Sequence, residues 1–370
     1  MKELTEYKEI IIWGASMPPD GINTTTSHGR AIETLVELLK RKKVLGKVLF
    51  IADSNKNIVG KKRLGYEIRT PDEILNYPEA LIIVNTISIC AIQSALKSYG
   101  IDNDYMIIPY YLYHGTVGHP YVNEAAQKDM NEHKEEIIGM YSMDDMITKR
   151  YMEIIIQLRE KAEDDLYLPE FYKDTGGGLS YFCDNALAPA GDVTYIDVGA
   201  YNGDSIELVR QYYGKRLKKC IAFEPDKNLF NELKKYVSDS GINNMAEIYP
   251  YALGDEEKAV SFASNGLVGE IRERGDSMVY QKIFDNLPIQ TIGKAMIKMD
   301  IEGYELKALK GMKNFIKDNE PYLAICIYHK EKDLYEIAKY IKNLNPDFKL
   351  YIRGGWHLEC WAVPKTHFMG

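Results

Sequence analysis

Short apolar runs that stop at a glycine or an acid recur along this chain, and between them apolar residues return at helical spacing. The first set is "EIIIWGA" (9–15), "KVLFIAD" (47–53), "ALIIVN" (80–85) and "DYMIIPY" (104–110). A helix is predicted from Arg30 to Lys43, with Ala31, Leu35, Leu38 and Leu39 on one stripe, and another near 88–98. Strands joined through helices pair in parallel, because each helix carries the chain back across the sheet before the next strand begins. The first 120 residues are therefore expected to form a small α/β unit.

The pattern changes between about Asn123 and Asp165, where long polar helices are predicted. One carries Ile147, Tyr151, Ile154, Ile155 and Leu158 on a single stripe. Core or domain packing is the commoner use of such a stripe; a dimer seam is the other, which leaves a homo-oligomer open. "DTGGGLS" (174–180) then breaks the pattern. The expected organisation is a small domain over 1–120, a helical connector over 121–175 and a second α/β domain over 176–370.

Strand and helix alternate again in that last part. "TYIDVGA" (194–200), "CIAFEPD" (220–226), "AEIYPYALGD" (246–255), "AMIKMDIEG" (295–303) and "YLAICIYH" (322–329) are predicted strands. Helices follow most of them, one presenting Leu229, Phe230, Leu233, Tyr236 and Val237, another Leu306, Leu309, Met312 and Ile316. "KLYIRGG" and "ECWAVPK" have no helix between them and are expected to pair antiparallel.

A chain of 370 residues with 45% hydrophobic and 27% charged residues is ordinary for a soluble two-domain protein. A formal net charge of −8 speaks against a general nucleic-acid or anionic-membrane binder. The five cysteines show no CxxC or metal-like spacing, and four sit in apolar runs, so buried reduced thiols are expected. No stretch approaches 18 apolar residues, so neither a membrane span nor a signal peptide is expected, and the location is read as cytoplasmic. His28, His114, His119 and His133 lack ligand spacing and are read as loop residues.

The strongest local motif is "YIDVGAYNGDS" (195–205). A strand runs through Asp197 into Gly199 and Gly203, and glycine there suits bare backbone against a ligand and a turn with positive φ. The spacing is G-x-x-x-G, whereas a nicotinamide dinucleotide asks for G-x-G-x-x-G to seat its pyrophosphate. Glu224 ends the next strand, 25 residues after Gly199, where a carboxylate accepts hydrogen bonds from ribose hydroxyls. Together they point to an adenosine-type cofactor without a pyrophosphate. In the N-terminal unit "WGAS" and Asp53 imitate a nucleotide site, but Pro18 and Pro19 interrupt the turn, so a degenerate unit used for packing or acceptor positioning is expected.

"MIKMDIEGYE" (296–305) spaces Lys298, Asp300 and Glu302 two apart, on one face of an extended chain. Such charges mark either an exposed edge strand or a central strand opening into a site; fourth place in a parallel order favours the second. The structural alternative is an ion pair of Lys298 with Asp300. His329 ends the following strand and, at an ordinary pKa near 6.5, suits a general base. Asp300 would orient it or the acceptor, and Glu302 would hold the acceptor. A divalent metal bridging Asp300 and Glu302 is one option, but two carboxylates without a third ligand make a thin case, so no metal is expected.

The ordered set "YIDVGAYNGDS", "AFEPDKNLFNELK", "YALGDEE", "IKMDIEGYELKALKG" and "LAICIYHKEKDLYEI" resembles the FkbM-type S-adenosylmethionine-dependent methyltransferases over roughly residues 180–363. The resemblance implies a seven-stranded Rossmann-like methyltransferase domain, here preceded by the smaller Rossmann-like α/β domain and the helical connector. It implies O-methylation of a hydroxyl on a sugar, polysaccharide or other natural product, with S-adenosyl-L-methionine as cofactor. By matching positions, Asp197, Gly199 and Gly203 would contact its methionine part, Glu224 its ribose, and Ala252 and Leu253 its adenine. Asp204, Ser205, Pro225 and Asp300 complete the expected cofactor set, and His329, Asp300 and Glu302 the catalytic one. Glu359 fits a family position, whereas Gly354 and Gly355 depart from it. Two other readings remain, a nucleotide-sugar or NAD-linked oxidoreductase and a non-catalytic binding protein on a cofactor fold. The missing dinucleotide motif opposes the first; Glu224, Asp300 and His329 oppose the second.

Overall fold

The computed structural model describes residues 4–15, 32, 35–36, 39–40, 42–84, 95–107, 123–161, 186–264, 269–354 and 358–369. The chain divides into two compact units: Met1–Asn123 with Glu153–Leu179 and Gly354–His357, and Glu124–Met152 with Ser180–Arg353 and Leu358–Gly370.

In the first unit, β1 (Ile10–Trp13), β2 (Val48–Ala52), β3 (Lys62–Arg63), β4 (Tyr66–Arg69), β5 (Leu81–Val84) and β6 (Tyr105–Ile107) form one sheet in the order β3-β4-β2-β1-β5-β6. The pairs along β4-β2-β1-β5-β6 are parallel. Ile10 and Ile12 pack into one apolar cluster, Ile11 and Trp13 into another, so both faces of β1 are covered. Coverage on both faces is why the run is apolar throughout instead of alternating. Leu35 and Leu39, from the expected first helix, are buried in the same cluster as Ile10. Asp53 closes the imitated nucleotide turn itself: its Oδ2 accepts the Ala15 N–H at 2.9 Å. The antiparallel β3–β4 pair was not expected; it turns at Leu64 and Gly65, both at positive φ. Pro18, Pro19, most of the helices near 30–43 and 88–98, the 174–180 break, Gly355, Cys90, Cys183, His28, His114 and His119 lie outside the described residues.

The second unit begins with α1 (Glu124–Met140) and the start of α2 (Met146–Lys161), followed by β7 (Val193–Val198), α3 (Asp204–Tyr213), β8 (Leu217–Phe223), α4 (Lys227–Asp239) and β9 (Ala246–Tyr249). A small sheet follows, built from β10 (Ala252–Leu253), β11 (Lys258–Ser264), β12 (Gly269–Ile271) and β13 (Ser277–Lys282) in the order β10-β13-β11-β12. The chain then returns through β14 (Lys294–Met299), α5 (Glu305–Gly311), α6 (Lys313–Asn319), β15 (Tyr322–Cys326), α7 (Asp333–Leu344), β16 (Lys349–Gly354) and β17 (Leu358–Val363). Its main sheet has seven strands in the order β16-β17-β15-β14-β7-β8-β9. β17 runs antiparallel to β15, while β15, β14, β7, β8 and β9 pair in parallel. β14 therefore lies between β15 and β7, in the middle of the sheet, which removes the edge-strand explanation of its charges.

α1 packs within the second unit against α7. The His133 ring stacks on Tyr335 of α7, with centroids 3.9 Å apart, and the Tyr335 hydroxyl donates to Glu136 at 2.8 Å. His133 is thus a packed helix residue, correcting its reading as a loop residue; helical spacing, not metal-ligand spacing, governs its position. Beyond α1, Asp145 takes two hydrogen bonds from the Arg353 guanidinium, at 2.8 and 3.0 Å, and Arg353 is 2% exposed. Burial pushes the Asp145 carboxyl up, and Arg353 more than offsets it, leaving it below the usual range. Asp145→Ala is expected to lower stability by about 3 kcal/mol in urea melts, because it strands a buried guanidinium. A lowered carboxylate contributes stability above its unfolded pKa and loses it on acidification, so the wild-type advantage over Asp145→Ala should shrink as pH falls below about 4. A loss below about 0.5 kcal/mol at neutral pH would show the pair to be incidental.

Cys220, Cys326 and Cys360 are free and buried. Among the described residues, no helix is long and apolar enough to cross a membrane.

Candidate active site

The turn after β7 is held from within the protein. Gly199 has φ 84° and Gly203 φ 96°, the left-handed region open to glycine. A Cβ on Gly199 would overlap the Asp300 carbonyl oxygen, and one on Gly203 would run into the Tyr236 ring. The glycines thus answer close packing by β14 and α4, a demand distinct from the bare-backbone contact with ligand expected of them. Asp197 is fully buried, with Lys298 Nζ 3.0 Å from its Oδ1 and the Ser205 hydroxyl donating to its Oδ2 at 2.5 Å. The two charges are direct neighbours in the β14–β7 register. Lys298 also donates to the Gly199 carbonyl. Burial would lower the Lys298 ammonium, but Asp197, then Asp300 and Asp204, outweigh it and hold it above its ordinary value. Lys298 forms its ion pair with Asp197, the residue that strand register places beside it, while Asp300 adds to the field on it. Asp204 is exposed at the first position of α3, where a carboxylate complements the helix dipole.

Glu224 leaves the end of β8 with only 5% exposure. Its Oε2 accepts the Tyr201 N–H at 2.9 Å and its Oε1 the Asp226 N–H at 2.8 Å, so the carboxylate bridges the turns after β7 and β8. Burial pushes its pKa up to about 7, against the pull of those two N–H groups. Pro225 is half-buried beside it, and Asp226 caps α4 by accepting from Asn228 and Leu229. Tyr249, whose carbonyl accepts the Glu224 N–H, stacks on Phe223 at 5.2 Å, and Tyr251 stacks on Tyr249 at 6.3 Å. This aromatic ladder beside Glu224 was not singled out from the sequence, although "YPY" (249–251) follows the third strand directly. Ala252 and Leu253 belong to the small sheet and are buried at 7% and 2%, Ala252 packing with Val260, Phe262 and Val279.

At the ends of β14 and β15 the structure brings Asp300, Glu302 and His329 together. β14 stops at Met299, Glu302 has φ 54° and Gly303 φ 87°, so a left-handed turn, and not the strand alternation expected, aims Glu302. His329 Nε2 lies 3.4 Å from Asp300 Oδ1 and 3.4 Å from Glu302 Oε2, and Nδ1 lies 2.9 Å from Glu305 Oε1. The Tyr328 hydroxyl reaches Asp300 at 3.4 Å. Burial would lower the His329 pKa, but Glu305, then Asp300 and Glu302, push it up to about 10. These carboxylates favour the charged imidazolium over the neutral imidazole expected of a base. Burial pushes Glu302 and Asp333 up to about 7. Glu305 and Asp333 were overlooked; their signals were the spacing of Glu305 three residues after Glu302 and of Asp333 four after His329.

Two clusters therefore stand at the carboxyl ends of parallel strands, one at β7 and β8, the other at β14 and β15. Open α/β sheets place their ligands at such ends. The crystal structure of methyltransferase FkbM from Methylobacillus flagellatus KT aligns with 96% of this chain and 90% of its own at 16% identity, with a TM-score of 0.53. Residues 197–348 match the family described as methyltransferase FkbM domain. More distantly, the N-terminal domain of human METTL16 in complex with SAH aligns with 48% of this chain and 62% of its own at 14% identity and a TM-score of 0.28, too remote to bear on function. No curated protein matches this chain significantly.

Proposed function

We propose that the protein is an S-adenosyl-L-methionine-dependent O-methyltransferase acting on a hydroxyl of a sugar, polysaccharide or other natural product. The observation that carries the reading is Glu224: a carboxylate 5% exposed, at the end of the strand beside a glycine turn, accepting only two N–H groups. A carboxylate offers about four lone-pair sites, so ribose hydroxyls fit the remainder and relieve its desolvation. Asp197, Gly199, Gly203, Asp204 and Ser205 would frame the methionine end, with Ala252 and Leu253 on the adenine side. Bound S-adenosylmethionine supplies a methyl group on a sulfonium, which an attacking oxygen takes in a single displacement. The hydroxyl must lose its proton as it attacks, and Asp300 and Glu302 offer it an oxygen. His329, charged between them, holds both carboxylates in place.

Calorimetric titration with S-adenosylhomocysteine is expected to show one-site binding. Glu224→Ala should weaken it by about ten- to a hundredfold, the worth of hydrogen bonds to a charged acceptor. Hydroxyls that donate to the carboxylate lower its pKa in the complex, so binding releases a proton wherever Glu224 is protonated beforehand. From the value of about 7, affinity should rise as pH is raised from 5.5 to 8, by up to about thirtyfold, and level off above it. The pH dependence should vanish in Glu224→Ala. Stabilisation by NADH without any response to S-adenosylhomocysteine would defeat the methyltransferase reading.

A further inference from the structure

His329, Asp300 and Glu302 do more than assemble a charged pocket. The His329 side chain is 7% exposed, and its Nε2 makes no hydrogen bond. It is aimed between two carboxylate oxygens, each 3.4 Å away, and the three donor atoms lie within 4.8 Å of one another. The geometry points to a divalent-cation site made by Asp300 Oδ1, Glu302 Oε2 and His329 Nε2, suited to an octahedral ion of the Mn2+ class. Adjacent ligands at about 2.1 Å from such an ion stand about 3 Å apart, so the two histidine–carboxylate distances need only a slight contraction, and the two carboxylate oxygens, within 4.8 Å of each other, have at most about 2 Å to close. Two hard carboxylates and one imidazole match that class better than a soft-metal site, which would draw on cysteine.

Charge and access agree with the geometry. Asp300, Glu302 and Glu305 all approach the one imidazole, and Asp333 acts on it electrostatically. Of the nearby ammonium groups, Lys298 is held by Asp197 and the Gly199 carbonyl with Asp300 also in its field, and Lys330 donates to the Gly303 carbonyl, so the carboxylates outnumber the cations here. Coordination needs the Nε2 lone pair, so a dication would take the place of a proton there and offset more of the converging carboxylate charge. Behind the ring, Glu305 is fully buried, accepts the Ile301 N–H at 2.9 Å and stands 2.9 Å from Nδ1, which makes no hydrogen bond in this arrangement but is close enough for Glu305 to orient the ring once Nε2 is bound. Glu305, His329 and Asp333 make a second trio, but Asp333 is 6% exposed and already accepts the Lys330 N–H. The Asp300 and Glu302 side chains keep 16% and 32% exposure, so an ion there retains positions for water or an acceptor's oxygens.

The site stands without the methyl-transfer reading, and its test separates the two. Manganese chloride titrated into the full-length protein, followed by calorimetry and by the loss of the free-ion electron paramagnetic resonance signal, should show saturable one-to-one binding. His329→Ala and the near-isosteric Glu302→Gln should each weaken it at least about tenfold, and Asp333→Asn by less than either. Thermal melts establish that each variant is folded. Absence of saturable binding by the wild type, or full binding by folded His329→Ala, overturns the site. So does loss in Asp333→Asn with retention in Glu302→Gln, which would move the ion to the buried trio. S-adenosylhomocysteine titrated into the same samples reports on the methyltransferase reading independently: its binding without Mn2+ binding rejects the ion site alone.

Discussion

Lys298→Met is expected to lower the stability of the C-terminal unit by about 3–5 kcal/mol. Methionine matches the lysine in length and apolar character, so packing changes little; what is lost is the ammonium. Asp197, whose side chain has no exposure, would then keep a buried charge facing only the Ser205 hydroxyl, and the Gly199 carbonyl would lose a donor. An uncompensated buried carboxylate answers by taking up a proton, which limits the damage but removes the charge around which the turn is built. Urea denaturation followed by circular dichroism measures the loss. Adding Asp197→Asn to Lys298→Met should recover part of it, because an amide needs no counter-charge. A single-variant loss under about 1 kcal/mol would mean that the pair contributes nothing net, as some buried pairs do not.

Gly199→Ala is expected to cost at least as much, through a different route. At φ 84° an alanine pays the left-handed penalty of about 1–2 kcal/mol, and its methyl has nowhere to go. The atom it would overlap is the backbone oxygen of Asp300, which cannot rotate aside, with Ile301 Cγ2 close behind. Moving it requires shifting the end of β14, the strand that carries Lys298 and leads into Asp300. The expected result is a loss of about 4 kcal/mol or more, or failure to fold at 37 °C. Gly191→Ala is the control. It too has positive φ, at 78°, but a Cβ there has nothing within 4 Å, so it should show the conformational penalty alone. Equal losses in the two variants would show that contact with Asp300 adds nothing.

Much of this was legible in the sequence because parallel sheets write themselves plainly. Strands covered on both faces are apolar along their length unless a charge is paired, and β1, β5 and β15 are buried at every position. The acid after β8 and the glycines after β7 were readable too, since sheet topology alone sets their place at the carboxyl ends of the strands. What sequence spacing misjudged were the partners. Lys298 lies two residues from Asp300 but pairs with Asp197, 101 positions earlier, because neighbouring strands in register bring those side chains onto one face. Glu302 reaches His329 by a left-handed turn, which period-two counting excludes. Three carboxylates supplied by β14's end and α5 push the His329 pKa up, which its ordinary value did not foretell. The small sheet from Ala252 to Lys282 escaped notice, since short strands of mixed exposure lack a continuous apolar run. Local composition determines which segments become strands and helices and where their ends fall. Which charges meet at those ends depends on register and turn handedness, and only the folded chain sets both.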